Sequence, residues 1–229
     1  MQPLELLSNT RRRCIVVKRT RYFFEERGYM ASYSQDIVID VDRLNKTEVF
    51  GVSIRWGNLT KAIGKVVLQS KIVQGVILAQ SHHTTTTLLL NEDESGLLET
   101  DIGKMLRRLF PAVIRYAHDD EERLAYLRKT VDPEEHGNGD RHCMAALLGQ
   151  PSIPLVLQGS TPVLGRWQSV LFFDLDAEGR HTRRVTIHVQ GDGRLLVFFG
   201  RLKNAFFSLW RKSSRVRDEE NFRPHTVQN

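Results

Sequence analysis

Cysteine is scarce in this chain: two residues in 229, Cys14 and Cys143, far apart and in no Cys-x-x-Cys pair. That argues against a zinc knuckle and a disulfide framework, and it points to a reducing, cytoplasmic compartment. Long apolar runs are missing too. Leu195 to Phe199 is only five residues, against the roughly 20 a membrane-crossing helix needs. Near the N-terminus Arg11, Arg12 and Arg13 are followed by only Cys14-Ile15-Val16-Val17, too short for the hydrophobic region of a signal peptide. Glu5 counts against an organelle-targeting peptide. The chain has no GxSxG, Walker A or GxGxxG string, so the common nucleophile-elbow and nucleotide-loop signatures are absent. No internal repeat is visible. The net charge of +6 is uneven: residues 1–34 and 192–229 carry +4 each, leaving −2 for residues 35–191. A nucleic-acid-binding core would carry its own basic face, so no nucleic-acid partner is expected.

What is present centres on residues 82–94, which run from His82-His83 through four threonines and three leucines to Asn91-Glu92-Asp93-Glu94. Branching at Cβ favours a pleated strand over a helix. In a strand His82 and His83 would face opposite sides. Alternation predicts further strands over 36–42, 48–56, 153–157, 167–175 and 184–190. Helical spacing predicts a helix from Asn58, as cap, to about Ser70, and others over 96–110, 121–128 and 142–148. Between Ala117 and Arg141 lies a polar stretch long enough to suggest function rather than connection. In the tail, residues 195–210 read as an amphipathic helix, or as another strand after an Asp192-Gly193 hairpin turn. The residues after Arg211 are charged, with the composition of a disordered segment.

Five segments in order carry a family resemblance. They are His83-Thr84-Thr85 with Leu90-Asn91-Glu92-Asp93-Glu94, Pro111 with Tyr116-Ala117-His118, Asn138-Gly139-Asp140-Arg141-His142, Leu147-Leu148-Gly149 with Ile153-Pro154, and Leu164-Gly165-Arg166-Trp167-Gln168. Together they resemble the YjbQ-like proteins, also called secondary thiamine-phosphate synthase enzymes. The resemblance implies one α+β domain over 35–191, with a mixed or antiparallel sheet packed by a few helices; the basic extensions over 1–34 and 192–229 are departures from it. It also implies a homotrimer, a pocket around three histidines, and a weak thiamine-phosphate synthase activity joining a pyrimidine pyrophosphate to a thiazole phosphate. The chain departs from the pattern at Arg166, where the family has a small hydroxyl residue. It departs again in a shorter link from Gly149 to Pro154 and a longer stretch between His118 and Asn138.

Two kinds of chemistry fit these residues. His83, His118 and His142, from separate segments, are candidate ligands for a divalent metal, Zn²⁺ or a similar ion, with an open position for water. Glu92 would then act as general base and Asp140 would orient a histidine. Histidines that only hydrogen-bond backbone or substrate are the plainer alternative. Thr84, Thr85, Asn138, Gly139 and Arg166 offer donors for the oxygens of a phosphorylated substrate, with Mg²⁺ on Glu92 or Asp93 assisting a pyrophosphate. Thr86 and Thr87 read as packed strand residues, Cys143 as a buried packing residue and Trp167 as a core anchor. The expectation is a small-molecule enzyme acting on a phosphorylated metabolite. Its rival is a non-catalytic ligand-binding or assembly protein that grips a membrane or a partner through the basic aromatic tail.

Overall fold

The computed structural model describes residues 21–24, 31–49, 51–176 and 181–193, with backbone alone for 21–24 and 49. Both terminal extensions beyond these limits, including the expected amphipathic stretch at 195–210, lie outside the described residues. Among the described residues ten strands and four helices follow one another: β1 (Arg21–Phe24), β2 (Ala31–Asp40), β3 (Asn45–Val49), β4 (Val52–Asn58), α1 (Thr60–Ser70), β5 (Ile72–Ser81) and β6 (Thr86–Glu92). There follow α2 (Ile102–Leu109, preceded by a wider turn at Leu97–Asp101), α3 (Glu121–Thr130), α4 (Gly139–Leu148), β7 (Ser152–Gln158), β8 (Thr161–Pro162), β9 (Gln168–Asp174) and β10 (Thr182–Gly193). The chain is an α+β protein with two antiparallel sheets, ordered β1-β2-β10-β5-β7-β8 and β3-β4-β9-β6.

Alternation decides which residues build the core. In β9, Val170 and Phe172 face the larger sheet, while Leu171 and Phe173 face the helices. The smaller sheet is thus buried on both sides, which is why β9 reads as a continuous apolar run. One core layer joins Ile37, Ile77, Val185 and Ile187 of the larger sheet to Ile63, Val66 and Val67 of α1. The other joins Ile54 and Trp56 to Leu106 of α2 and to Met144 and Leu148 of α4. Asn58 caps α1, its Oδ1 accepting the Thr60 N–H at 2.9 Å. Glu94 does the same before α2, taking the N–H groups of Gly96 at 2.8 Å and Leu97 at 2.7 Å. These two hydrogen bonds, chiefly the one from Gly96, hold its carboxyl below the usual range.

Four expectations are corrected. Residues 82–85 are a turn, and the strand starts only at Thr86. The Thr86 hydroxyl donates to the His83 carbonyl at 3.0 Å, offering the backbone a partner other than a ladder. Asp192 and Gly193 remain within β10 rather than forming a hairpin turn. Trp167 is 65% exposed, stacked under the Arg166 guanidinium at 4.9 Å from the ring centre. Cys143 is exposed, because α4 turns Met144, Ala145 and Leu148 inward instead.

Candidate functional site

One end of the molecule gathers the polar groups. The β5–β6 turn, the end of β9 and the start of β10 meet there, since Thr86 pairs with Asp174 and the Leu175 N–H donates to the Thr85 carbonyl at 3.0 Å. Asp174, fully buried, accepts two bonds from Arg183, at 2.8 Å from Nε and 3.1 Å from Nη2. The same Nη2 reaches the Asp176 carbonyl at 2.5 Å. This fork fixes the corner after β9 and with it the Asp176 carboxylate. Asp176 in turn accepts from the Asn138 amide at 2.8 Å and holds His136 Nε2 at 3.0 Å. The start of α4 is therefore anchored to the end of β9.

His118 and His142 meet at this anchored helix start, their ring centres 4.6 Å apart and tilted by 39°. Gly139 makes the approach possible: a Cβ there would sit 2.7 Å from Tyr116 Cβ and 3.0 Å from His118 Cβ. Its N–H donates to Asp119 Oδ1 at 2.8 Å, and the same oxygen lies 3.2 Å from His118 Nδ1. Asp119, not Asp140, is thus the carboxylate at His118 Nδ1. Asp140 sits between Arg107 and Arg141, 3.5 Å from each. Burial, reinforced by the neighbouring His118, lowers the His142 pKa below its ordinary value. The Asp176 hydrogen bond does the opposite to His136, raising it. Arg107 Nε, Arg141 Nη1 and Asn138 Oδ1 are buried polar atoms without a hydrogen-bond partner among the described residues.

The expected site residues divide between two places. His118, Asn138, Gly139, Asp140 and His142 share the end just described, and His83, Thr84 and Thr85 lie in the turn beside it. Thr84 is exposed and Thr85 buried. Glu92 closes the other end of β6, opposite Gln168, six residues and about 20 Å along the strand from Thr86. Arg166 stands two residues before Gln168, so it belongs with Glu92. Six residues of the network escaped the sequence reading: Asp119, Arg123, His136, Asp174, Asp176 and Arg183. For Asp119 a signal existed, its position directly after His118. The others are joined to the site only through the fold.

The three imidazoles do not fit a metal as they stand. His83 Nε2 accepts the Arg184 backbone N–H at 3.1 Å. His118 Nε2 lies 3.2 Å from Arg123 Nη2, and a guanidinium can only donate. Two of the three coordinating lone pairs are therefore already engaged. Among the described residues no three His, Cys, Asp or Glu side chains come together as a metal site.

The sequence model of the family described as "UPF0047 protein YjbQ-like" matches residues 51–192. The chain belongs to this family. The matched span runs from the turn before β4 into β10 and includes every residue of the histidine end. A UPF0047 protein of Methanothermobacter thermautotrophicus is 31% identical over 163 residues, covering 71% of this chain and 95% of that protein. One from Archaeoglobus fulgidus is 36% identical over 113 residues, covering 49% of this chain and 75% of its own. Among solved structures, a YbjQ-like protein of unknown function from Sulfolobus solfataricus P2 superposes with a TM-score of 0.53 at 22% identity. It covers 71% of this chain and 99% of that one. A hypothetical protein from Aeropyrum pernix K1 gives 0.51 at 21% identity, covering 69% and 98%. These likenesses confirm the UPF0047 fold. Among the described residues no helix is long and apolar enough to cross a membrane.

Proposed function

We propose that the His118–His142 pair is the centre of a small-molecule enzyme acting on a phosphorylated metabolite, with the weak thiamine-phosphate synthase activity that the YjbQ-like resemblance implies. The observation that carries this reading is the imidazole pair itself, 4.6 Å apart at a helix start. Arg123 grips one of its rings, and Arg107 and Arg141 flank Asp140, two residues before His142. His142 is the side chain left to meet the substrate: burial lowers its pKa, and neither ring nitrogen is hydrogen-bonded among the described residues. The thiazole nitrogen forms the new C–N bond as the C–O bond to pyrophosphate breaks, so the ring positions the reactants and no proton need be transferred. His118 is the fixed partner, held between Asp119 and Arg123. The arginines supply positive charge for phosphate oxygens as a leaving pyrophosphate develops charge. Asn138 and the exposed Thr84 complete the set of donors on this end. A homotrimer, also implied by the resemblance, belongs to this proposal, and sedimentation velocity on the full chain tests it.

The deciding experiment measures condensation of the pyrimidine pyrophosphate with the thiazole phosphate by the full chain and by His142→Ala and His118→Ala. Losing a group that positions the reactants costs on the order of 10²-fold. Wild-type turnover in both variants would end the enzymatic reading of this pair.

A further inference from the structure

We infer that Arg123 is a positioning residue which locks His118 in one tautomer and shuts transition metals out of the imidazole pair. The inference concerns the same site as the proposed function but needs no turnover to be tested. Its basis is a chelate-like grip. Arg123 Nη1 donates to the His118 backbone carbonyl at 2.6 Å, while Nη2 donates to the ring Nε2 of the same residue at 3.2 Å. A guanidinium has no acceptor and does not lose its proton, so Nε2 must present its lone pair and the ring proton must sit on Nδ1. There it meets Asp119 Oδ1 at 3.2 Å, an oxygen itself held by the Gly139 N–H.

The grip is built in by local structure. Asp120 caps α3, its Oδ1 accepting the N–H groups of Glu122 at 3.1 Å and of Arg123 itself at 3.4 Å. The backbone of Arg123 is thereby fixed beside His118, three residues into a helix that starts at Glu121. A metal ion needs the Nε2 lone pair that Arg123 occupies, and it would have to enter beside a fixed positive charge. A neutral donor at this position would block the same lone pair without the repulsion. Arginine does both.

The test uses full-length protein labelled with ¹⁵N at histidine, with His118 assigned from the spectrum of His118→Gln. Long-range ring correlations should show a protonated Nδ1 and an unprotonated Nε2 for His118 in the wild type. Equimolar Zn²⁺ should leave those signals in place, and Co²⁺ should give no tetrahedral absorption band. In Arg123→Ala the tautomer preference should fall away, and calorimetry should report Zn²⁺ binding at least tenfold tighter. Arg123→Lys, which keeps the charge but cannot bridge both atoms, should lose the lock while binding Zn²⁺ more weakly than the alanine variant. A wild-type His118 protonated at Nε2, or one whose Nε2 takes up Zn²⁺ at equimolar metal, overturns the inference. So does an alanine variant that folds with unchanged tautomer and unchanged Zn²⁺ affinity. Should that variant fail to fold, the wild-type spectrum alone decides.

Discussion

Strand β6 connects two ends of the molecule that look alike in sequence and differ in structure. Both carry hydroxyls, amides, carboxylates and cations. At the Thr86 end these groups come from five separate segments and are tied together by Asp174, Asp176, Asp119 and Arg183, with several of them buried. At the Glu92 end they are exposed and most of their bonds are local: Glu92 N–H to Asn91 Oδ1 at 2.9 Å, Gly165 N–H to Gln168 Oε1 at 2.8 Å, Arg166 over its neighbour Trp167, with one exposed bond from the Asn58 amide to Asp93 Oδ2 at 2.8 Å reaching across from another segment. A polar cluster becomes a candidate site when distant segments must converge to make it, because only then does folding fix its geometry. Polar groups in sequence proximity on a surface satisfy one another or water without any such constraint.

The sharpest way to break this contrast is to remove the anchor of the first end. Arg183→Met should destabilise the protein by about 3–5 kcal/mol, since it leaves the Asp174 carboxylate buried without its cation; urea unfolding measures this. Glu92→Gln, at the other end, should shift the same curve by no more than about 0.5 kcal/mol. Next comes activity. His142→Ala should cost on the order of 100-fold, about 2.7 kcal/mol, whereas Arg166→Ser should leave turnover close to wild type. A comparable loss in Arg166→Ser would place the reaction at both ends and dissolve the distinction.

Smaller effects sharpen it. Gly139→Ala should cost about 1–3 kcal/mol by overpacking, and it should move the His118 ring signals, because the added methyl meets Tyr116 and His118. The smallest effect is a pH dependence. His136 has its pKa raised by Asp176, so its contribution to stability is complete below the unfolded value of about 6.5 and fades as pH rises through the folded value. His136→Gln should remove that acid-side component, less than about 1 kcal/mol for a partly exposed pair. Thermal melts between pH 5 and 8 detect it as a flattening of the wild-type profile.

Much of the architecture was legible because period-2 and period-3.6 patterns survive in a single chain. Val185, Ile187 and Val189 announce a strand, and Ile63, Val66 and Val67 a helix, whatever surrounds them. Where local chemistry competes with pattern, the reading slipped: the threonines after His83 look like strand, yet the Thr86 hydroxyl on the His83 carbonyl makes a turn. Residue type misled at Trp167 and Cys143, because a large or soft side chain is inward only if its position on the element is. At the site, His118, Asn138, Gly139 and His142 were marked by the family signatures. Arg123 and Arg183 were two arginines among many, and nothing local distinguishes one that grips an imidazole from one that faces water.

By itself, the order of residues determined the element types, the family and the set of groups able to do chemistry, since those depend on side-chain identity and spacing along the backbone. Tertiary structure alone decided which of those groups share an environment. It put Glu92 a strand's length from His83, set Asp119 at His118 Nδ1, and closed the His118 lone pair with Arg123. Hydrogen bonds and burial act through space over a few ångströms, and only the folded chain sets those distances.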